Sequence, residues 1–207
     1  VNSQFSNNFS QGNGGAYNGN LTTFQNLSFP EFRFTNCIFN GNGADSHGGA
    51  VFLNSESPIS EFNSFFTNCT FYNNSVTDSQ GRGGGLYITA GSAALTYDRP
   101  NSTTLTNCIL WGNSAGTGSD LYANEDVYTN MINCIIPAAG YDIGTLTPQQ
   151  SNDYCTNRNN IDADPQFIDS TGNDFRLEPP SPGSPGSPGI DAGKMVSGLF
   201  SDYRGSL

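Results

Sequence analysis

Phe34-Thr35-Asn36-Cys37-Ile38-Phe39-Asn40-Gly41-Asn42 is the stretch that decides how this chain folds. Cys37 and Phe39 fall on one face of an alternating run, the period-two signature of a strand. The run closes on an asparagine three residues after an aromatic. The same step, an apolar residue three before an asparagine, recurs from Phe5 to Asn8, Phe71 to Asn74 and Leu110 to Asn113, so the asparagines are spaced by 34, 32 and 39 residues. A small-residue motif follows each: Gly14-Gly15-Ala16, Gly48-Gly49-Ala50, Gly84-Gly85-Leu86 and, as a decayed fourth copy, Ser119-Asp120-Leu121. Self-similarity at this period marks a stacked-coil architecture.

Each repeat supplies one coil. Strand pairs such as Cys69/Phe71, Cys108/Leu110 and Cys134/Ile136 repeat the face of Cys37/Phe39, and Ala50-Val51-Phe52-Leu53 and Ser64-Phe65-Phe66 provide further strands. Asparagine and glycine punctuate them, because both tolerate left-handed backbone. Coils stacked about 4.8 Å apart pair each strand in parallel with its equivalent. Cys37, Cys69, Cys108, Cys134, Phe39 and Phe71 then form interior ladders, and Asn42, Asn74 and Asn113 form amide ladders at the corners. The expected fold is all-β, a single right-handed parallel β-helix, the usual hand of parallel crossovers. Residues 1–140 are expected to hold four or five coils. Residues 141–207 form an irregular C-terminal coil or cap segment, in which the Ser-Pro-Gly steps at 179–189 read as an extended polyproline-II spacer.

The alternation of F-x-x-N and G-G-A over residues 1–136 resembles the repeat of the polymorphic outer membrane protein group, a family of surface-exposed adhesins. Asn160-Ile161-Asp162-Ala163-Asp164-Pro165-Gln166-Phe167-Ile168-Asp169, Asp174-Phe175-Arg176-Leu177 and Ser187-Pro188-Gly189-Ile190-Asp191-Ala192-Gly193 are similar to the C-terminal part of bacterial secreted choice-of-anchor β-helix proteins. Both resemblances imply a β-helix, a pectate-lyase-like solenoid, with an extracellular or cell-surface address.

Composition agrees with a solvent-facing solenoid: only 12% of residues are charged, so the skin is Asn, Ser, Thr and Gly. A net charge of −11 with seven basic residues argues against nucleic acid and anionic membranes as partners. No apolar run reaches the 18 or so residues of a membrane-spanning helix. Val1 opens no signal peptide, so a secreted form is a processed chain. The four cysteines at one strand position read as a ladder of buried thiols, since β-carbons about 4.8 Å apart exceed the roughly 3.5–4.5 Å a disulfide takes. Cys155 lies outside that ladder.

Catalysis finds little support. A lyase needs a basic residue beside calcium-holding acids, and no arginine recurs at one coil position next to paired aspartates. A hydrolase needs two carboxylates about 5–9.5 Å apart, yet residues 37–113 hold only Asp45, Glu56, Glu61, Asp78 and Asp98. Asp45 with His47 is the single cluster suggestive of chemistry, and it reads as a solvated turn. The chain is therefore expected not to be an enzyme and to hold no cofactor. Asp162, Asp164, Asp169 and Asp174 supply oxygen ligands of the kind calcium takes, at a spacing that matches no standard calcium loop and that turn capping explains equally. Sequons at Asn20, Asn26 and Asn101 fall in loop-like sequence and are the glycosylation candidates.

The expected function is a non-catalytic extracellular structural or adhesive protein, with a carbohydrate-binding or polysaccharide-cleaving β-helix as the alternative. Trp111, Tyr72, Tyr87 and Tyr122 are its stacking platforms. Regular threonine ranks are missing, which sets ice binding aside. Glycans or a host-cell surface ligand are candidate partners. So is a second copy, because the repeat starts at Phe5 without a visible cap and residues 1–30 and the segment after Pro188 are placed to meet end to end in a fibre.

Overall fold

The computed structural model describes residues 1–21, 30–55, 62–91, 101–143 and 156–193. These residues form strands, turns and bends, without a helix. The first rung consists of β1 (Gln4–Ser6), β2 (Phe9–Ser10), β3 (Tyr17–Leu21) and β4 (Glu31–Thr35). β5 (Ile38–Asn40), β6 (Gly43–Ala44), β7 (Val51–Ser55) and β8 (Asn63–Thr67) repeat it, as do β9 (Thr70–Tyr72), β10 (Ser75–Val76), β11 (Leu86–Ala90) and β12 (Asn101–Thr106). β13 (Ile109–Trp111), β14 (Leu121–Ala123) and β15 (Val127–Ile132) make the fourth rung, and β16 (Tyr141–Ile143) and β17 (Thr156–Arg158) belong to the fifth.

Equivalent strands pair in parallel across rungs and give four sheets: A (β1-β5-β9-β13), B (β2-β6-β10), C (β3-β7-β11-β14-β16) and D (β4-β8-β12-β15-β17). The fold is thus all-β and mostly parallel, a solenoid-like stack of separate sheets. The parallel register runs past residue 140. β16 joins sheet C, β17 joins sheet D, and Ile161 bridges Ile135, so a boundary at 140 cuts through the fifth rung.

Alternation within the strands decides what the stack encloses. Val51, Leu53, Leu86, Ile88, Leu105 and Leu110 are fully buried and share one core with Phe39, Phe66 and Phe71. In-register stacking places like on like: Phe5 on Phe39 at 4.9 Å, Phe39 on Phe71 at 4.7 Å and Phe34 on Phe66 at 5.1 Å between ring centroids. Cys37, Cys69, Cys108 and Cys134 sit inside at 1% exposure, all as free thiols. Cys155 lies outside the described residues.

Left-handed backbone explains the punctuation. Asn36, Asn68, Asn107 and Asn133, each preceding a ladder cysteine, have φ of 52–54° and turn the chain from sheet D into sheet A. Strand register also corrects the small-residue motif. Leu86 pairs with Val51 and Leu121, so the equivalents of Gly48-Gly49-Ala50 are Gly83-Gly84-Gly85 and Gly118-Ser119-Asp120, one residue earlier than the sequence alignment of the third and fourth copies. Gly48, Gly83 and Gly118 share positive φ. The next position is small because rungs close in on it: a Cβ on Gly49 would lie 2.1 Å from the Gly84 carbonyl oxygen.

Within the C-terminal segment, residues 156–193 are folded. β18 (Phe167–Asp169) and β19 (Asp174–Leu177) form an antiparallel hairpin. Phe167 and Phe175 each pack their rings 5.5 Å from Tyr72 on the outside of sheet A, where Asn40 also donates to Asn173. The first and third Ser-Pro-Gly steps, at 181–183 and 187–189, are turns rather than an extended spacer. Ser181 and Ser184 exchange backbone hydrogen bonds at 3.0 and 2.9 Å around Pro182-Gly183, and Gly183 has φ 90° as a type II turn requires. Gly189 and Gly193 then line one cleft with Ile135 and Asn107, on the flank of the stack rather than beyond an end strand.

Candidate functional site

Two asparagine ladders run through the first four rungs. In the corner ladder Asn8 Nδ2 donates to Asn42 Oδ1 at 2.9 Å, Asn42 Nδ2 to Asn74 Oδ1 at 2.9 Å and Asn74 Nδ2 to Asn113 Oδ1 at 2.8 Å. Each Oδ1 also takes the backbone N–H of the asparagine one rung earlier, at 2.9–3.1 Å. The second amide hydrogens of Asn42, Asn74 and Asn113 go to the carbonyls of Phe5, Phe39 and Phe71. Asn42 and Asn74 are fully buried and fully bonded, the condition under which buried amides strengthen a core.

That ladder ends on a carboxylate. The fifth rung offers no asparagine, and Asp120 takes its place, accepting from Asn113 Nδ2 at 2.7 Å. Asp120 is 2% exposed, and burial raises its pKa to about 6 against the opposing hydrogen bonds of Asn113 and Ser119. What reads in sequence as decay of the motif is the ladder's terminator.

The second ladder, unforeseen from sequence, joins the left-handed turn asparagines in the opposite sense: Asn36 Nδ2 donates to Asn2, Asn68 to Asn36 and Asn107 to Asn68, at 3.0–3.2 Å. Its signal was the asparagine immediately before every ladder cysteine. The thiols beneath are donors. Cys69 Sγ–H reaches the Thr67 and Phe34 carbonyls, and Cys108 the Thr106 and Phe66 carbonyls, at 3.3–3.4 Å. Burial pushes the Cys108 thiol up, which keeps it protonated. One rung beyond Cys134, in the sixth, Asn160 replaces cysteine and donates to the Met131 carbonyl, as Cys134 does to Leu105.

Outward columns carry what a partner would meet. On sheet D, Thr35, Thr67 and Thr106 are in register, a three-residue threonine column that the sequence does not announce. On sheet C, Phe52, Tyr87 and Tyr122 stack at 5.1 and 5.2 Å between centroids, with Phe52 and Tyr87 buried and Tyr122 alone partly exposed. A flanking column is formed by His47, Arg82 and Thr117, which bridge in parallel. His47 stacks on Tyr87 at 4.7 Å, and the Arg82 guanidinium carbon lies 4.9 Å from the Tyr122 ring centre, with Nη1 donating to the Tyr122 hydroxyl at 3.0 Å. Arg82 N–H donates to His47 Nδ1 at 3.2 Å, and burial, then the Arg82 charge, holds the His47 pKa below its ordinary value.

The other candidates separate. Tyr72 is covered by the C-terminal hairpin, and Trp111 is in register with it in sheet A. Asp164 caps the Gln166 amide, Asp169 accepts from Thr171 and Gly172, Asp174 pairs with Arg176, and Asp162 is exposed. Among the described residues no three metal-ligating side chains converge. Asp45 accepts from Thr77 at 2.9 Å. Asn20 is exposed and accepts from Asn54 at 3.1 Å. Asn101, read as a loop sequon, opens β12 at 1% exposure with its Oδ1 on the Phe62 amide, so the fold denies it a glycan. Asn26 lies outside the described residues.

No curated protein and no solved structure is significantly similar to the chain. A family model does match, over segments that run from the turn asparagines Asn36 and Asn68 through sheets A, B and C of the second and third rungs. Residues 36–54 and 68–89 match the model of the Chlamydia polymorphic membrane protein (Chlamydia_PMP) repeat.

Proposed function

We propose that this chain is a non-catalytic structural and adhesive segment of a cell-surface protein, wound as a single right-handed β-helix. The observation that carries this reading is the coincidence of the matched repeat with the rungs themselves. The matched segments supply strands and turns of the frame, and its surface carries in-register threonines on sheet D and, beside sheet C, the partly exposed Tyr122 with Arg82 and Thr117. The membrane-protein description of that repeat supports a surface address. A rigid stack with an outer skin of amides and hydroxyls suits contact with a host-cell ligand, and pairing of end strands with a second copy offers a route to filaments.

The test is adhesion. Beads coated with the purified chain should bind cultured epithelial cells well above albumin-coated beads, and equal binding would remove the adhesive reading. Electron microscopy and light scattering examine assembly, where a strictly monomeric species at high concentration rejects the filament. A reducing-sugar assay on pectin and related polymers should stay at background; turnover abolished by mutation of a single Asp or Arg would convert the protein into an enzyme.

A further inference from the structure

The cation beside sheet C is held unlike the others in this chain of net charge −11. Arg33 pairs with Glu31 and Arg176 with Asp174, whereas Arg82, like Arg158 on sheet D, is exposed and has no carboxylate partner among the described residues. Its guanidinium is nonetheless held in place, by the Tyr122 ring and by the Tyr122 hydroxyl. The neighbouring donor is fixed too. Because His47 Nδ1 accepts the Arg82 amide, the proton of the neutral ring sits on Nε2, the nitrogen left to meet a ligand. Exposed Thr117 adds a hydroxyl one rung further on. Three rungs at about 4.8 Å spacing thus present an imidazole N–H, a guanidinium and a hydroxyl in one line. They run beside an aromatic column beyond which no further ring stacks on Tyr122 among the described residues.

We propose that this face binds a sugar acid of the hexuronic class, its carboxylate on Arg82, its hydroxyls on His47 and Thr117, and its ring against Tyr122. The inference rests on the adhesive reading and names the ligand that reading lacks. A planar guanidinium recognises a carboxylate through two parallel hydrogen bonds, and pyranose rings favour aromatic surfaces that also offer a polar edge. A single cation selects a ligand with one acidic group. A densely charged polyanion would be repelled by the overall charge and by Asp78 and Asp142, which flank the patch.

Saturation-transfer NMR and calorimetry on the whole chain decide it, with methyl glucuronide as probe and methyl glucoside and acetate as controls. Wild type should bind the glucuronide with millimolar or better affinity, and at least about tenfold more tightly than either control. The Arg82→Ala and Tyr122→Ala variants, checked for unchanged circular dichroism, should lose about tenfold or more. No transfer at high glucuronide concentration, equal binding of the glucoside, or unaltered binding by Arg82→Ala overturns the proposal. The bead assay run with Arg82→Ala separates the two readings. Cells that still adhere to wild-type beads when no glucuronide binding is found leave adhesion standing and sink the sugar site. Glucuronide binding without cell adhesion does the reverse.

Discussion

Replacing Asp120 by asparagine should stabilise the protein at neutral pH, against the usual outcome for a buried, hydrogen-bonded side chain. Burial raises the Asp120 pKa from 3.8 to about 6, a shift of roughly two units and about 3 kcal/mol. A carboxyl whose folded pKa is raised takes up protons more readily folded than unfolded. Its stabilising contribution is therefore complete below about pH 4 and is lost as pH rises through about 6. The amide introduced by Asp120→Asn would keep the acceptor for Asn113 Nδ2 and place its own NH2 near the Ser119 hydroxyl, which lies 3.4 Å from the present Oδ2. Relief of the buried charge, less imperfect geometry, should leave a gain of about 1–3 kcal/mol at pH 7.5 that shrinks to near zero at pH 4. Equilibrium urea unfolding, followed by the fluorescence of the chain's one tryptophan, Trp111, measures the difference, and comparing variant with wild type cancels other titrating groups such as Asp126. A variant less stable than wild type at pH 7.5, or a difference independent of pH, would refute the reasoning.

Other consequences are equally direct. Asn74→Ala removes the partner of four hydrogen bonds in the core and should destabilise by about 3–5 kcal/mol in urea unfolding; a loss below about 1 kcal/mol would mean the corner ladder holds nothing together. Phe39→Ala should lose about 3–5 kcal/mol, because its ring lies between Phe5 and Phe71. Cys37, Cys69, Cys108 and Cys134 should resist iodoacetamide in the native protein and react in urea, with mass spectrometry counting adducts; rapid modification of all four without denaturant contradicts the enclosed ladder.

Strand alternation and the F-x-x-N spacing made the stack legible, because both depend on residues close together in sequence. The core cysteines and corner asparagines follow from that register alone. The third glycine motif was placed one residue late since Gly83-Gly84-Gly85 offers two equivalent alignments, and only pairing of Leu86 with Val51 resolves them. Asp120 looked like decay because its role depends on the amide that the next rung lacks, a non-local fact. The hairpin on Tyr72 was unreadable for a similar cause: docking of a non-repeating segment leaves no period. Asn101 misled because a Pro-Asn-Ser-Thr sequence resembles a loop, while here the asparagine begins a buried strand.

The two ladders count rungs, not residues. Strands of sheet C hand the chain to sheet D through connections of very different size: 22–30, 56–62, 91–100 and 124–126. All leave and re-enter at stacked positions, so the frame above and below is the same whatever the length between. Doubling such a connection costs only about 0.6 kcal/mol in closure entropy, far less than disturbing one amide of the corner. Novelty can therefore accumulate along a single edge, as wares change in a shop window while the shelves stay bolted, and a lineage carrying this frame can vary what it displays without having to refold it.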